Sequence, residues 1–557
     1  MKKYLAILLA LILSLSLFTG CQDPYDSPDD DIKVISREDA VKEMNALLSN
    51  VRVSSVDAPI DLNPIEDNSA AAALADLSTF PITVQGGGQI DIEIAAATEF
   101  SAAAPDDWMN VVAERFNREG FSVGGKSVSV SVRKITSGEV LTYMQYGGYR
   151  PDVYVPSNDA WGKMLSGSFN VKTLSTRIAG NTAGILMKRS TYDTFIEKYK
   201  ELNVGTAMEA TLAGDINFAY TNPYTSSTGL NILTAMLAHF DPSNPVSAKA
   251  SEKLVAYQRK SPPVAYTTAV LRNSAAKGVI DAMVMEEQSY VNTPELRDYV
   301  YVPQGIRHDH PVYTFDYVSA EKQEAAQLFV EYCLRGENQK LATEKGFNLH
   351  DDYKGVESGL DGAGYLAAQR IWKQNKNGGQ PVIAVFVADV SGSMNGTPLR
   401  SLQESLIAAS SYIGSENYIG LVSYSDNVTI NLPIGEFDDT QRAKFSGAVK
   451  HLSAGGSTAT YDAVLEATKL LLDKQQEIPD AKLMMFVLSD GEQNVGVKFE
   501  RIPSIVKALG IPVYTIGYNM SSTTELKALA SINEAALINA SSDDVVNQLR
   551  NLFNTQL

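Results

Sequence analysis

At 557 residues the chain is too long for one compact core, and domains of about 100–200 residues set an expectation of roughly two or three units. Its 44% hydrophobic and 20% charged residues are ordinary for a folded protein. A net charge of −18, with no clustered Lys and Arg to neutralise phosphates, argues against nucleic acid as a partner.

Residues 1–20 read as a leader. Lys2 and Lys3 precede an apolar run of about fifteen residues that ends in small residues, too short for a comfortable membrane span. Leu17-Phe18-Thr19-Gly20-Cys21 resembles the lipobox of bacterial lipoproteins, with Phe18 where Leu is usual. The resemblance implies cleavage before Cys21 and a lipid on its thiol, hence a lipid-anchored extracytoplasmic protein at the bacterial surface. The only other cysteine, Cys333, lies on an apolar helical pattern and reads as a core residue. Residues 21–87 read as a tether: "QDPYDSPDDD" is acidic and Pro-broken, "SREDAVKEMNALLS" is a short helix with Ser36 as N-cap, and "QGGGQ" (85–89) is a flexible joint.

Residues 88–370 alternate strands and helices, the rhythm of a helix-covered parallel sheet, in which ligands sit at strand carboxyl ends. "IDIEIAAAT" is a strand, "APDDWMNVVAERFNREG" a helix closed by Gly120, and "VSVSVRKI" a second strand. The turns "PDVYVPSNDAW" and Asn222-Pro223-x-Thr-Ser-Ser-Thr-Gly229 resemble those of type 2 extracellular solute-binding proteins of bacterial ABC importers. The later segments "GVIDAMVMEEQSYV" and "EAAQLFVEYCLRGENQKLATEKGF" fit that fold's order. The resemblance implies two lobes around a hinged cleft lined by Thr98, Ser101, Ser157, Asn158, Thr225, Ser226, Ser227, Thr228, Glu286 and Glu287. The same residues serve equally as helix caps. No Arg faces these turns in the pattern expected of an oxyanion pocket, so the ligand's identity stays open.

"KQNKNGGQ" reads as a break, giving a linker over 371–380 and a final domain over 381–557. Strands such as "LMMFVLS" are apolar throughout, as a sheet covered on both faces requires, which gives a doubly wound α/β domain with one antiparallel excursion. Three of its loops carry oxygen ligands: Asp389-x-Ser391-x-Ser393, Thr458 with Ser457 beside it, and Asp490. A hard cation such as Mg²⁺ takes about six oxygens, and hydroxyl ligands leave it electrophilic. These motifs, in this order, resemble the von Willebrand factor A (VWA) domain and its metal-ion-dependent adhesion site. The resemblance implies a divalent cation (Mg²⁺ first, Mn²⁺ or Ca²⁺ as alternatives) and a partner that supplies a carboxylate.

Catalysis finds no support. The five histidines show no metal-protease spacing, and neither a phosphate loop nor a G-x-S-x-G elbow is present. His308-Asp309-His310 reads as a solvated loop. The expectation is a non-enzymatic binding protein, anchored by lipid alone, whose VWA domain grips a protein or matrix partner. Its solute-binding-like domain takes a small ligand or acts as a spacer. The alternative is the substrate-capture subunit of an ABC importer with an accessory VWA domain.

Overall fold

The computed structural model describes residues 32–557 except 62–73, 75–76, 261–263, 265–270, 272–279, 492, 519–523, 534–536, 541–548, 550–551 and 554–555. The leader and Cys21 lie outside the described residues, as does most of the helix expected over "SDDVVNQLRNLF" (542–553). Among the described residues no helix is long and apolar enough to cross a membrane.

The segment after the leader departs from a solvated tether. Helix α1 (Arg37–Leu48) forms as expected, with Ser36 Oγ accepting from the Asp39 N–H at 3.0 Å. Its i, i+4 pair Ala40 and Met44 is buried in one core with Leu509 and Leu471 of the C-terminal domain. Strand β1 (Val53–Ser55) then joins the edge of that domain's sheet. The apolar stripe is docked because a surface from the far end of the chain covers it, a circumstance that local composition does not reveal.

The first lobe of the middle domain contains β2 (Ile82–Val84), β3 (Ile90–Ala96), α2 (Thr98–Ser101), α3 (Trp108–Glu119), β4 (Lys126–Lys134), α4 (Ser137–Gln145), β5 (Val153–Val155), α5 (Asp159–Leu165) and β6 (Val171–Ser175). The chain crosses to a second lobe with β7 (Thr182–Lys188), β8 (Phe218–Ala219), α6 (Ser227–Phe240), β9 (Ala282–Glu286) and β10 (Tyr299–Arg307). It returns to the first lobe through β11 (Val312–Phe315) and α7 (Ala320–Cys333). The two sheets run β2-β4-β3-β5-β11-β6 and β10-β7-β9-β8. Cys333 is fully buried in the first lobe's core. The glycines 86–88 are pinned rather than flexible. Their N–H groups donate to Ser131 and Ser129 Oγ at 2.8–3.0 Å, and a Cβ on Gly88 would meet strand backbone at 2.9 Å.

Helix α8 (Gly362–Asn375) spans both lobes. A Cβ on Gly362 would lie 2.2 Å from the Lys163 carbonyl of the first lobe. Toward the second lobe, Gln369 donates to the Pro223 carbonyl at 2.9 Å and Trp372 Nε1 donates to the Tyr220 hydroxyl at 3.0 Å. The stretch 371–380 is therefore not a loose linker. The helix continues through Asn375, Lys373 Nζ donates to the Tyr412 carbonyl at 2.9 Å, and the buried Lys376 reaches the Phe553 carbonyl at 3.4 Å. Polar composition concealed this because long side chains here bury their stems and find carbonyl partners on the next domain.

The C-terminal domain contains β12 (Val382–Asp389), α9 (Thr397–Ser410), β13 (Tyr418–Tyr424), β14 (Val428–Glu436), α10 (Thr460–Glu477), β15 (Lys482–Ser489), α11 (Pro503–Leu509), β16 (Val513–Tyr518) and β17 (Leu537–Ala540). Its seven-stranded sheet runs β1-β14-β13-β12-β15-β16-β17, parallel except for the β13–β14 hairpin. β12 sits at the centre with every residue buried, covered by separate apolar cores on its two faces. The middle domain is thus an insertion between the edge strand β1 and the central strand β12.

Candidate metal centre and lobe interface

β12 and β15 are neighbouring parallel strands, paired from Val382↔Lys482 to Ala388↔Leu488. Their carboxyl ends bring Asp389 beside Ser489 and Asp490. The fully buried Asp389 accepts from the Ser391 N–H at 2.8 Å and from Ser489 Oγ at 2.6 Å. Ser391 and Ser393, two apart on the turn, bring their hydroxyls to 3.1 Å, and Ser393 donates to Asp490 Oδ1 at 2.9 Å. The third loop lies across this turn: the Gly392 N–H donates to the Gly456 carbonyl at 3.0 Å, and Gly455 N–H to the Val390 carbonyl at 2.8 Å. Thr458 follows two residues on and is buried. Ser457 lies beside it, its N–H held by Asp426 Oδ1 at 3.1 Å.

These residues suit a small hard cation. Burial first, and the nearby Asp389 charge as well, push the Asp490 carboxyl above its usual range, with the Ser393 hydrogen bond pulling the other way. A cation would relieve that like-charge conflict. Tyr424 is the β13 residue in register with Asp389, and burial followed by the Asp389 charge holds its phenol well above the usual value. The buried hydroxyls of Tyr424 and Thr460 lie beside each other near this carboxylate, with Ser489 also facing Tyr424. Among the described residues no group of three or more His, Cys, Asp or Glu side chains could hold a metal ion, so a ligand set here would draw on hydroxyls.

In the middle domain some of the expected cleft residues, Asn158 and Ser227 among them, make contacts at the lobe interface. The segments around 176–181 and 308–311 cross between the lobes and bond to one another, Ile178 N–H to the Asp309 carbonyl and His308 N–H to the Asn181 carbonyl. His308-Asp309-His310 is not a solvated loop: both histidines are fully buried. Both imidazoles are enclosed at the lobe interface while Asp309 pairs with Arg307, and the backbone turns at His310 with φ +49°.

The two rings differ in role. Asn158 Oδ1 accepts from Ala160 N–H and Asn231 Oδ1 from Ile306 N–H, so each turns its amide N–H toward His308 Nε2, at 3.0 and 3.3 Å. Nε2 is thereby the acceptor, and Nδ1–H donates to Glu286 Oε1 at 2.5 Å. His310 donates from both nitrogens, to the Ala179 carbonyl at 2.8 Å and to Glu99 at 3.1 Å. Burial works against charge on His310 and Glu99. The bond and charge between them outweigh it, raising the histidine and lowering the glutamate. Burial raises the Glu286 carboxyl despite His308.

Of the other expected cleft residues, Ser157 accepts the His310 N–H through its carbonyl. Ser227 takes the Trp161 indole N–H at 2.9 Å and donates to Ser137 at 3.3 Å. Ser226 and Thr228 bond to each other at 2.7 Å, with Ser226 capping α6. Glu287 accepts from Thr182 and pairs with His350. Ser101 turns back onto the Ala97 carbonyl instead of facing the lobe interface. Thr98 opens α2. Thr225 faces a cavity of about 390 Å³ bounded by α4, α8 and residues 411–414 of the C-terminal domain. Sequence reasoning missed Glu99, Asn181, Ser137 and Trp161, none of which stands out from neighbours of its type.

The chain is a mixed α/β protein of two parts, a two-lobed solute-binding-protein-like domain followed by a VWA domain, an arrangement consistent with a binding protein. Residues 97–348 match the family described as bacterial extracellular solute-binding protein, and residues 384–554 match the von Willebrand factor type A domain. Both are binding domains, and the solute-binding family is extracellular by description. Among curated proteins, the chain is 29% identical over 154 residues to inter-alpha-trypsin inhibitor heavy chain H3 of Bos taurus, covering 25% of this chain and 17% of that one. It therefore spans less than a quarter of that relative's length. Solved structures similar to it include a von Willebrand factor type A protein from Catenulispora acidiphila (18% identity, 31% of this chain and 42% of that one, TM-score 0.29). Another is iron-bound HitA from Pseudomonas aeruginosa (15% identity, 52% and 99%, TM-score 0.38).

Proposed function

We propose that the protein is a lipid-anchored, extracytoplasmic binding protein whose VWA domain grips an acidic protein or matrix partner through a divalent cation. The observation that carries this reading is the convergence of Asp389, Ser391, Ser393 and Asp490 in one hydrogen-bonded cluster, with the Thr458 loop laid across it. Asp389, Ser391, Ser393, Thr458 and Asp490 would hold the ion directly or through water, with Mg²⁺ the first expectation and Mn²⁺ or Ca²⁺ next. Bound there, the ion supplies an electrophilic position for a partner's carboxylate. The chain's own contribution is to fix the hydroxyls and limit negative charge to two carboxylates. Cys21 carries the anchor in this reading, and the middle domain holds a small ligand or serves as a spacer.

The test is binding of the full chain to immobilised surface proteins with Mg²⁺, with EDTA, and as Ser391→Ala. Loss in both of the latter conditions is expected. Binding that persists in either overturns the reading. The second reading, a capture subunit for an importer, draws on the solute-binding family match and the two hinge crossings. It requires a solute that raises the middle domain's melting temperature without metal.

A further inference from the structure

Among the described residues no carboxylate or serine hydroxyl of the cluster holds the Thr458 loop. Its grip comes from elsewhere. Asn494, four residues beyond Asp490, accepts the Thr458 N–H on its Oδ1 at 2.9 Å while its own N–H donates to the Thr458 carbonyl at 3.0 Å. The Val495 N–H adds a longer bond to the same carbonyl, at 3.4 Å. Both backbone groups of Thr458 are therefore engaged by one residue pair on the Asp490 loop. On the opposite side Asp426, from the β13–β14 turn, accepts the Ser457 N–H at 3.1 Å. Gly456, at φ +84°, lets that carboxylate approach, since a Cβ there would lie 2.4 Å from Asp426 Oδ2.

We infer that Asn494 is a positioning residue for the metal centre: it fixes the Thr458 backbone so that the hydroxyl is presented at a set distance from Asp490. The inference rests on the proposed reading of the cluster as a cation site. A loop without this clamp would have to be ordered by the ion itself, and that ordering would be subtracted from the binding free energy. Because the amide is neutral, Asn494 exerts this control without adding charge that would quench the ion's electrophilicity. Asp426 is the less informative jaw, since removing it also changes the local charge.

The experiment is calorimetric titration of Mn²⁺ into the full chain as wild type, Asn494→Ala, Thr458→Ala and the double variant. Each metal-free melting temperature is measured alongside. Removing an outer-sphere partner of a metal ligand costs about 10–100-fold in affinity, and Asn494→Ala is expected to fall in that range with its metal-free melting temperature unchanged. In the Thr458→Ala background the same change should cost nothing more, because the residue acts through Thr458. Wild-type affinity in Asn494→Ala, or an equal further loss in the double variant, overturns the assignment. If Asn494→Ala melts early, Asn494→Asp keeps the oxygen acceptor and should bind Mn²⁺ at least as well as wild type. Affinity as low as that of the alanine variant then refutes the clamp. A wild-type chain that binds no Mn²⁺ fails one step earlier, at the reading of the cluster itself.

Discussion

Met44→Ala tests whether α1 belongs to the VWA domain or floats beside it. Met44 is 2% exposed and sits in one core with Leu471 and Leu509. Two polar links also join α1 to the domain, Arg37 to the Leu509 carbonyl at 3.0 Å and Arg501 to Glu43 at 2.7 Å. The Arg501–Glu43 pair is 54% and 36% exposed, and such ion pairs contribute only about 0–1 kcal/mol. Apolar burial decides the docking. Truncating a buried Met costs about 2–5 kcal/mol, the transfer loss plus the cavity. For a domain of this size that lowers a melting transition by on the order of 5–15 °C. Calorimetry of the full chain should show one transition falling by this amount while the other stays, since the two domains need not unfold together. Hydrogen exchange over residues 37–48 should be slow in wild type and fast in the variant. If no transition moves and 37–48 already exchanges freely in wild type, the docked helix is refuted and the segment is a tether.

Gly138→Ala should loosen the lobe contact, because a Cβ there would lie 1.9 Å from the Tyr224 carbonyl across the interface. Small-angle scattering should report a larger radius of gyration, and an unchanged radius with unchanged melting would contradict it. The Glu99–His310 pair predicts a pH window. Glu99 is lowered, so its stabilisation is present above its ordinary 4.5 and lost as pH falls through its folded value. His310 is raised, so its contribution is present below 6.5 and lost as pH rises through its folded value. Stability of the middle domain should therefore be greatest between these limits, and His310→Gln should flatten the profile; an unchanged profile would refute the pairing. Lys376 is buried with its amine held well below the usual range, first by desolvation and then by Lys373. Lys376→Met should raise the melting temperature by removing a buried, desolvated amine, and a fall would show that its bond to Phe553 outweighs that cost.

The VWA part was legible because its signals are local and redundant. A strand buried on both faces has nothing polar until its end, so Asp389, Ser391 and Ser393 stand out against Val382–Ala388. The solute-binding-like order was legible from its turns, although the roles of those turn residues were not. Caps and inter-lobe contacts use the same residue types, and only the fold separates Ser101, which bonds its own backbone, from Ser227, which meets Trp161. What stayed hidden depends on distant partners: the surface that covers Met44, the carbonyls that receive Lys373 and Lys376, and the amides that orient His308. Asn494 sits close to Asp490 in sequence, yet nothing in its neighbourhood announces a clamp on Thr458.

The pairing of β1 with β14 joins residues such as Ser54 and Val428, 374 positions apart. During synthesis the first strand of the VWA sheet emerges long before the strand it must meet, with the whole inserted domain made in between. Closing so long a loop is entropically slow, and an unpaired edge strand beside an apolar helix is exposed to wrong partners in the interval. Early collapse of the inserted domain would shorten the effective loop by bringing its two ends together. Its first effect would then be on folding, by holding β1 close to the strand that it must pair with.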